Sequence, residues 1–108
     1  MEKSVWAVEF LSNLQSLGRG VVTIDGESIT GGDGIYYYIG SCSISDQNVS
    51  AMMKVEQHGP GQSIFGPINA FTVKLTGTID QNSMQLTGAM IENPQLTVQV
   101  KLKKLLDI

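Results

Sequence analysis

Residues Gly18 to Gly40, GRGVVTIDGESITGGDGIYYYIG, set three short β-type runs between glycine and Asp-Gly breaks. Val21, Val22, Thr23 and Ile24 are β-branched and suit a pleated surface. Asp25-Gly26 is a turn dipeptide, and Tyr36, Tyr37 and Tyr38 place three aromatics in one run. This stretch predicts an antiparallel hairpin meander.

The same rhythm extends through the chain. Strand-like runs recur about every dozen residues, giving about eight in all. They lie near 4–11, 19–25, 27–31, 34–44, 48–57, 69–79, 83–92 and 95–103. The breaks carry turn chemistry: Asp25-Gly26, Gly31 to Gly34, Ser45 to Asn48, Gly59-Pro60-Gly61, Asp80 to Ser83 and Asn93-Pro94. No helical period runs beyond a turn or two. The 108 residues suffice for one domain, 1–108, with one core.

Period two is clearest in the second half, where Phe71, Val73, Leu75, Gly77 and Ile79 alternate with Thr72, Lys74, Thr76 and Thr78. Met84, Leu86, Gly88 and Met90 repeat the pattern, as do Leu96, Val98, Val100 and Leu102. Each such strand has one wet face and must bury the other. A closed up-and-down barrel does so while removing exposed sheet edges. The fold class predicted is therefore all-β, a single antiparallel barrel of about eight strands.

In the first strand, a Trp6 that faces inward sends Glu9 to solvent. In the fourth, Ile35, Tyr37 and Ile39 are expected inside, leaving Tyr36, Tyr38 and Ile44 outside with Val5, Ala7, Leu11 and Ile91. So much apolar surface on one wall would be costly to leave wet. It predicts a homodimer, with Tyr36, Tyr38 and Ile91 on its surface. The terminal KLKKLLDI is expected to end the last strand and lay Leu105, Leu106 and Ile108 on that wall.

Composition narrows the function classes. The chain is 42% hydrophobic and 16% charged, with a net charge of -3. It lacks the clustered Lys and Arg that direct binding to nucleic acid requires. The apolar run in MEKSVWAVEFLSN is short and broken by Glu9, so neither a secretion signal nor a membrane span is expected. The protein reads as cytoplasmic. Cys42 is the only cysteine and reads as a packing residue.

Chemistry-bearing clusters are not apparent. His58, the only histidine, stands beside Gly59-Pro60 as a turn residue, and the acidic side chains fall mostly at turns. The glycines of GGDG lead into a strand, whereas a phosphate-binding loop opens a helix. No enzyme activity, metal site or cofactor is expected. The longest irregular stretch, His58 to Pro67, reads as a crossover in which Ile64 and Phe65 either tuck into the barrel end or meet a partner.

Taken together, the segments Trp6-Ala7-Val8-Glu9-Phe10, Gly18-Arg19-Gly20-Val21-Val22, Ile29-Thr30-Gly31-Gly32-Asp33 and Tyr36-Tyr37-Tyr38-Ile39-Gly40 resemble the GrlR-like family, named for a negative regulator of type III secretion genes in enteric bacteria. Ser63-Ile64-Phe65-Gly66, Leu75-Thr76-Gly77-Thr78 and Leu102-Lys103-Lys104 add to the likeness, which spans nearly the whole chain. The resemblance implies a lipocalin-like, eight-stranded barrel that dimerises. It also implies a repressor that acts by protein–protein interaction, holding a transcription activator from its promoter. The family's activator contact is associated with an acidic run after the Tyr-x-Gly strand. Here that place holds Ser45-Asp46-Gln47-Asn48, with Asp46 its one charge.

Two functions follow. In the first, a non-enzymatic regulator binds a protein partner through Ser45, Asp46, Gln47 and Asn48 and through Ile64 and Phe65. Loops on a rigid barrel can vary without disturbing its ladder. In the alternative, the barrel is a small carrier or sensor of an apolar molecule. Its cavity candidates are Val22, Ile24, Tyr37, Met53, Phe71, Leu86, Met90 and Val100. Their bulk favours a filled interior or a small cavity.

Overall fold

The computed structural model describes residues 2–108 and contains eight strands among them. They are β1 (Ser4–Ser12), β2 (Leu17–Asp25), β3 (Ser28–Gly32), β4 (Tyr36–Ser45), β5 (Asn48–Gln57), β6 (Ala70–Asp80), β7 (Ser83–Met90) and β8 (Thr97–Asp107). Each pairs antiparallel with the next in sequence, and β8 returns to β1, which closes an up-and-down barrel. Closure satisfies the main-chain donors and acceptors that an open sheet would leave at its edges.

The connections divide the barrel into two unlike ends. At the base, three two-residue turns join Asp25 to Ser28, Ser45 to Asn48 and Asp80 to Ser83. The first turn residue of each, Gly26, Asp46 and Gln81, has a positive φ, as tight hairpins require. The mouth, at the opposite end, carries the longer connections 13–16, 33–35, 58–69 and 91–96.

Inward residues on every strand alternate with outward ones. The buried set includes Trp6 and Val8, Val22 and Ile24, Val49 through Val55 at every second residue, and the expected faces of β6, β7 and β8. Apolar groups inside and charged groups outside reverse the alternation of a lipid-facing barrel. Among the described residues no helix is long and apolar enough to cross a membrane. The base is filled: Trp6, Ile24 and Ser4 are fully buried, and the Trp6 indole N–H donates to Ser4 Oγ at 2.8 Å.

One strand has the opposite parity to the expected one. Tyr36 and Tyr38 are 3% and 6% exposed, whereas Tyr37 and Ile39 are 41% and 51% exposed. Ile44, expected outside, is partly buried against the core. The physical reason lies in the neighbours. The Asp46-Gln47 turn sets Ile44 opposite Val49, Cys42 opposite Ala51, Gly40 opposite Met53 and Tyr38 opposite Val55. Inward β5 residues therefore carry Tyr38 and Tyr36 inside. Glycines make the room: a Cβ on Gly20 would lie 2.9 Å from the Tyr38 hydroxyl oxygen and 2.8 Å from the Gly32 carbonyl.

The last strand runs further than the expected 95–103. β8 continues to Asp107, with Leu106 opposite Val5 and Asp107 opposite Ser4, after a bulge between Val5 and Trp6. Leu106 thus reaches the outer wall as part of the sheet.

Two glycines test this packing. Gly20→Ala should destabilise the fold by about 1–3 kcal/mol, because the added methyl meets main chain and an aromatic ring that cannot both retreat. Gly34→Ala, with open space around it and an ordinary φ, should be neutral or slightly stabilising. Urea unfolding of the two variants beside wild type checks the contrast.

Candidate functional site

Above the filled base the barrel is hollow. A cavity of about 380 Å³ extends to the mouth, within the usual range for small-molecule pockets. Its wall is built by alternation: Val8 and Phe10 of β1, Val22 of β2, Ile29 of β3, Ala51, Met53 and Val55 of β5, Phe71, Val73 and Leu75 of β6, Leu86 of β7 and Val98 to Leu102 at every second residue of β8. Of the residues expected to line a cavity, Val22, Met53, Phe71, Leu86 and Val100 do so. Ile24 packs into the base and Met90 is buried in the wall outside the lining. Tyr37 is corrected to the outer surface, for the register reason given above.

The 58–69 connection lies across the mouth. Ser63 and Gly66 close a small turn through reciprocal main-chain bonds of 3.0 Å, which points Phe65 inward. Phe65 is 5% exposed and packs edge-on against Phe71, their ring centres 5.3 Å apart. Ile64 reaches across to Gly18 on β2, where a Cβ would come within 3.2 Å of it. The loop is held there because Ser12 Oγ donates to the Ile64 carbonyl at 2.7 Å, and the Tyr36 hydroxyl donates to the Ile68 carbonyl at 2.6 Å. Phe65 as a free contact residue is therefore corrected: desolvating its ring inside the barrel end outweighs presenting it to water.

The mouth holds one polar cluster. Asp33 Oδ1 accepts the main-chain N–H groups of Ile35 at 2.8 Å and Tyr36 at 2.7 Å, and Oδ2 accepts the Tyr38 hydroxyl. Burial, then the hydrogen bond to Asp33 and its charge, push the Tyr38 phenol well above its ordinary value. His58, exposed, donates Nε2–H to the Asp33 main-chain carbonyl at 2.9 Å. Tyr38 and Asp33 as cavity residues went unnoticed in the sequence, although the Gly-Gly-Asp step before a tyrosine run marked the place.

The remaining expected site residues lie elsewhere. Ser45, Asp46, Gln47 and Asn48 are exposed at the base, so they cannot share one contact surface with the 58–67 loop at the mouth. Tyr36 and Tyr38 leave the expected dimer surface for the interior, while Ile91, 49% exposed, stays outside. The outer wall over β1 to β4 instead presents two uncharged rows, the first extended by Leu106 of β8 and the second bounded there by Lys103. Leu106, Val5, Thr23, Thr30 and Ile39 form the first, and Ala7, Val21, Gly32 and Tyr37 the second. The Tyr37 hydroxyl donates to Glu56, which Lys54 Nζ also approaches at 3.1 Å.

Cys42 is buried, and that burial raises its thiol above the usual range, as suits a packing residue. Among the described residues no three His, Cys, Asp or Glu side chains group to hold a metal ion. The sequence matches no known protein-family model and no curated protein.

The Tyr38 environment predicts a pH response. The unfolded chain releases the phenol proton near pH 10, and the folded chain holds it to higher pH. Above about pH 10 the folded state binds more protons, so stability falls as pH rises. Tyr38→Phe should flatten this alkaline fall, as read from urea midpoints between about pH 8 and 11. A fall equally steep in the variant would assign the effect elsewhere.

Proposed function

We propose that the protein is a non-enzymatic carrier or sensor of one apolar small molecule, held in the upper half of the barrel. The cavity carries this reading: about 380 Å³, walled by Val, Leu, Ile, Met and Phe side chains, with polar groups gathered at one end. That division suits a ligand with a long apolar body and a small head. The loop bearing Ile64 and Phe65 covers the mouth and keeps water from the bound molecule. Cys42, lone and buried, is compatible with a reducing compartment, and we place the protein in the cytoplasm.

Fluorescence of N-phenyl-1-naphthylamine, a neutral probe that brightens in apolar surroundings, tests the reading. Wild type should take up the probe saturably at one site. Ala51→Leu, which extends a lining side chain into the cavity, should weaken uptake by about tenfold or more. Folded wild type that takes up no probe, or a variant with unchanged uptake, would sink the proposal.

The outer wall favours a second reading. The rows containing Val5, Val21, Tyr37, Ile39 and Leu106 make an apolar face of the kind that marks a protein contact. Such a face would serve a homodimer, and a GrlR-like repressor that sequesters a transcription activator of type III secretion genes. Light scattering should then return twice the 11.7 kDa chain mass, and Val21→Glu with Ile39→Glu should return the single mass. A wild type that stays at 11.7 kDa at high micromolar concentration removes the self-association part of this reading.

A further inference from the structure

We propose that the cavity selects an apolar amine, whose cationic head is held at the mouth by the Asp33 carboxylate, over a fatty-acid-type carboxylate. The inference rests on the carrier reading above and adds the chemical class of the ligand. Among the residues lining the cavity, Asp33 and Arg19 are the charged ones.

Arg19 does not bring its charge inside. It shares the outward parity of Val21 on β2, its side chain is 72% exposed, and its Nε lies 3.8 Å from Glu9 Oε2 on the outer wall. Asp33 is held differently. Two main-chain N–H bonds to Oδ1 fix the carboxylate in the turn between β3 and β4, and the Tyr38 hydroxyl occupies one position on Oδ2. A carboxylate offers about four acceptor positions. Three are filled, which leaves one on Oδ2; Asp33 lines the same cavity as Tyr38 and Phe10, whose ring centres are 5.5 Å apart in an edge-on pair.

A fixed negative charge beside apolar walls acts more strongly than the same charge in water. An ammonium head placed there donates to the open Oδ2 position and completes an ion pair, while its chain runs down among Val22, Met53 and Leu86. A carboxylate head meets like charge, and the one lining cation, Arg19, is turned to Glu9 on the outer wall. His58, the other titratable group in contact with Asp33, is turned to the main-chain carbonyl from the outside and is exposed. An alcohol donates one hydrogen bond without charge and falls between the two.

The test uses the whole chain loaded with N-phenyl-1-naphthylamine near neutral pH and displaced by decylamine, decanol or decanoate. Decylamine should displace the probe at concentrations at least about tenfold lower than decanoate, a step of about 1.4 kcal/mol, with decanol between. Asp33→Asn keeps an amide oxygen for the two main-chain bonds; with each competitor referred to the variant's own probe affinity, it should erase the gap. Asp46→Asn removes the same charge at the base and should leave the gap intact. Tyr38→Phe frees the second position on Oδ2 and should widen it. Decanoate equal to or better than decylamine in wild type overturns the proposal, as does a gap that persists in Asp33→Asn or fails to widen in Tyr38→Phe. In each of those cases probe uptake still supports the cavity reading. Folded wild type that takes up no probe overturns both.

Discussion

The pairing of β1 with β8 is the constraint from which the rest of the molecule follows. It runs from Ser4 opposite Asp107 to Ser12 opposite Val98, joining strands about a hundred residues apart in a chain whose other pairings are all between neighbours. Once it forms, no strand has a free edge, and one face of all eight is shut away from water. A bulge between Val5 and Trp6 adjusts the closing strand, so that Lys104 stands opposite Trp6 at the base. Its Nζ sits over the indole ring, 5.5 Å from the ring centre, and 3.1 Å from Asp107, so a partly buried ammonium pairs with both the ring and a carboxylate.

Closure by itself sets a diameter. What fills it differs between the ends. At the base, Trp6, Ile24 and Met84 occupy the interior, and the three connections there are two-residue turns. Toward the mouth the inner faces of β2 and β3 carry Gly18, Gly20 and Gly31, and the rings of Phe10, Tyr36 and Tyr38 take part of that space without filling all of it. The cavity is the remainder. An eight-stranded barrel is just wide enough for such a remainder, so a few small side chains decide whether the interior is solid or hollow.

Asp33 links this packing to chemistry. Its bonds to Ile35 and Tyr36 shape the turn that starts β4, and its bond to Tyr38 satisfies a phenol that burial would otherwise leave unpaired. The groups that make the tyrosines tolerable inside the barrel thus also place a carboxylate at the cavity's mouth. A polar cluster with a structural cause has become the polar end of an otherwise apolar site.

The chain's own pattern determined the strands and most of their faces, because alternation and turn residues are local properties: Phe71 to Ile79, Met84 to Met90 and Leu96 to Leu102 point where their spacing says. Val22, Met53, Phe71, Leu86 and Val100 were legible as lining for the same reason. The tyrosine run was not, since three consecutive aromatics read equally well in either parity. The Asp46-Gln47 turn chose between them by locking β4 onto β5, and the inward glycines of β2 gave the rings their space. The fates of Phe65 and Leu106 were likewise settled by contacts distant in sequence, with Phe71 and Val5. The hollow and its acidic mouth belong to the tertiary structure alone, because empty volume is a difference between the width that closure imposes and the side chains that eight separate strands bring to it.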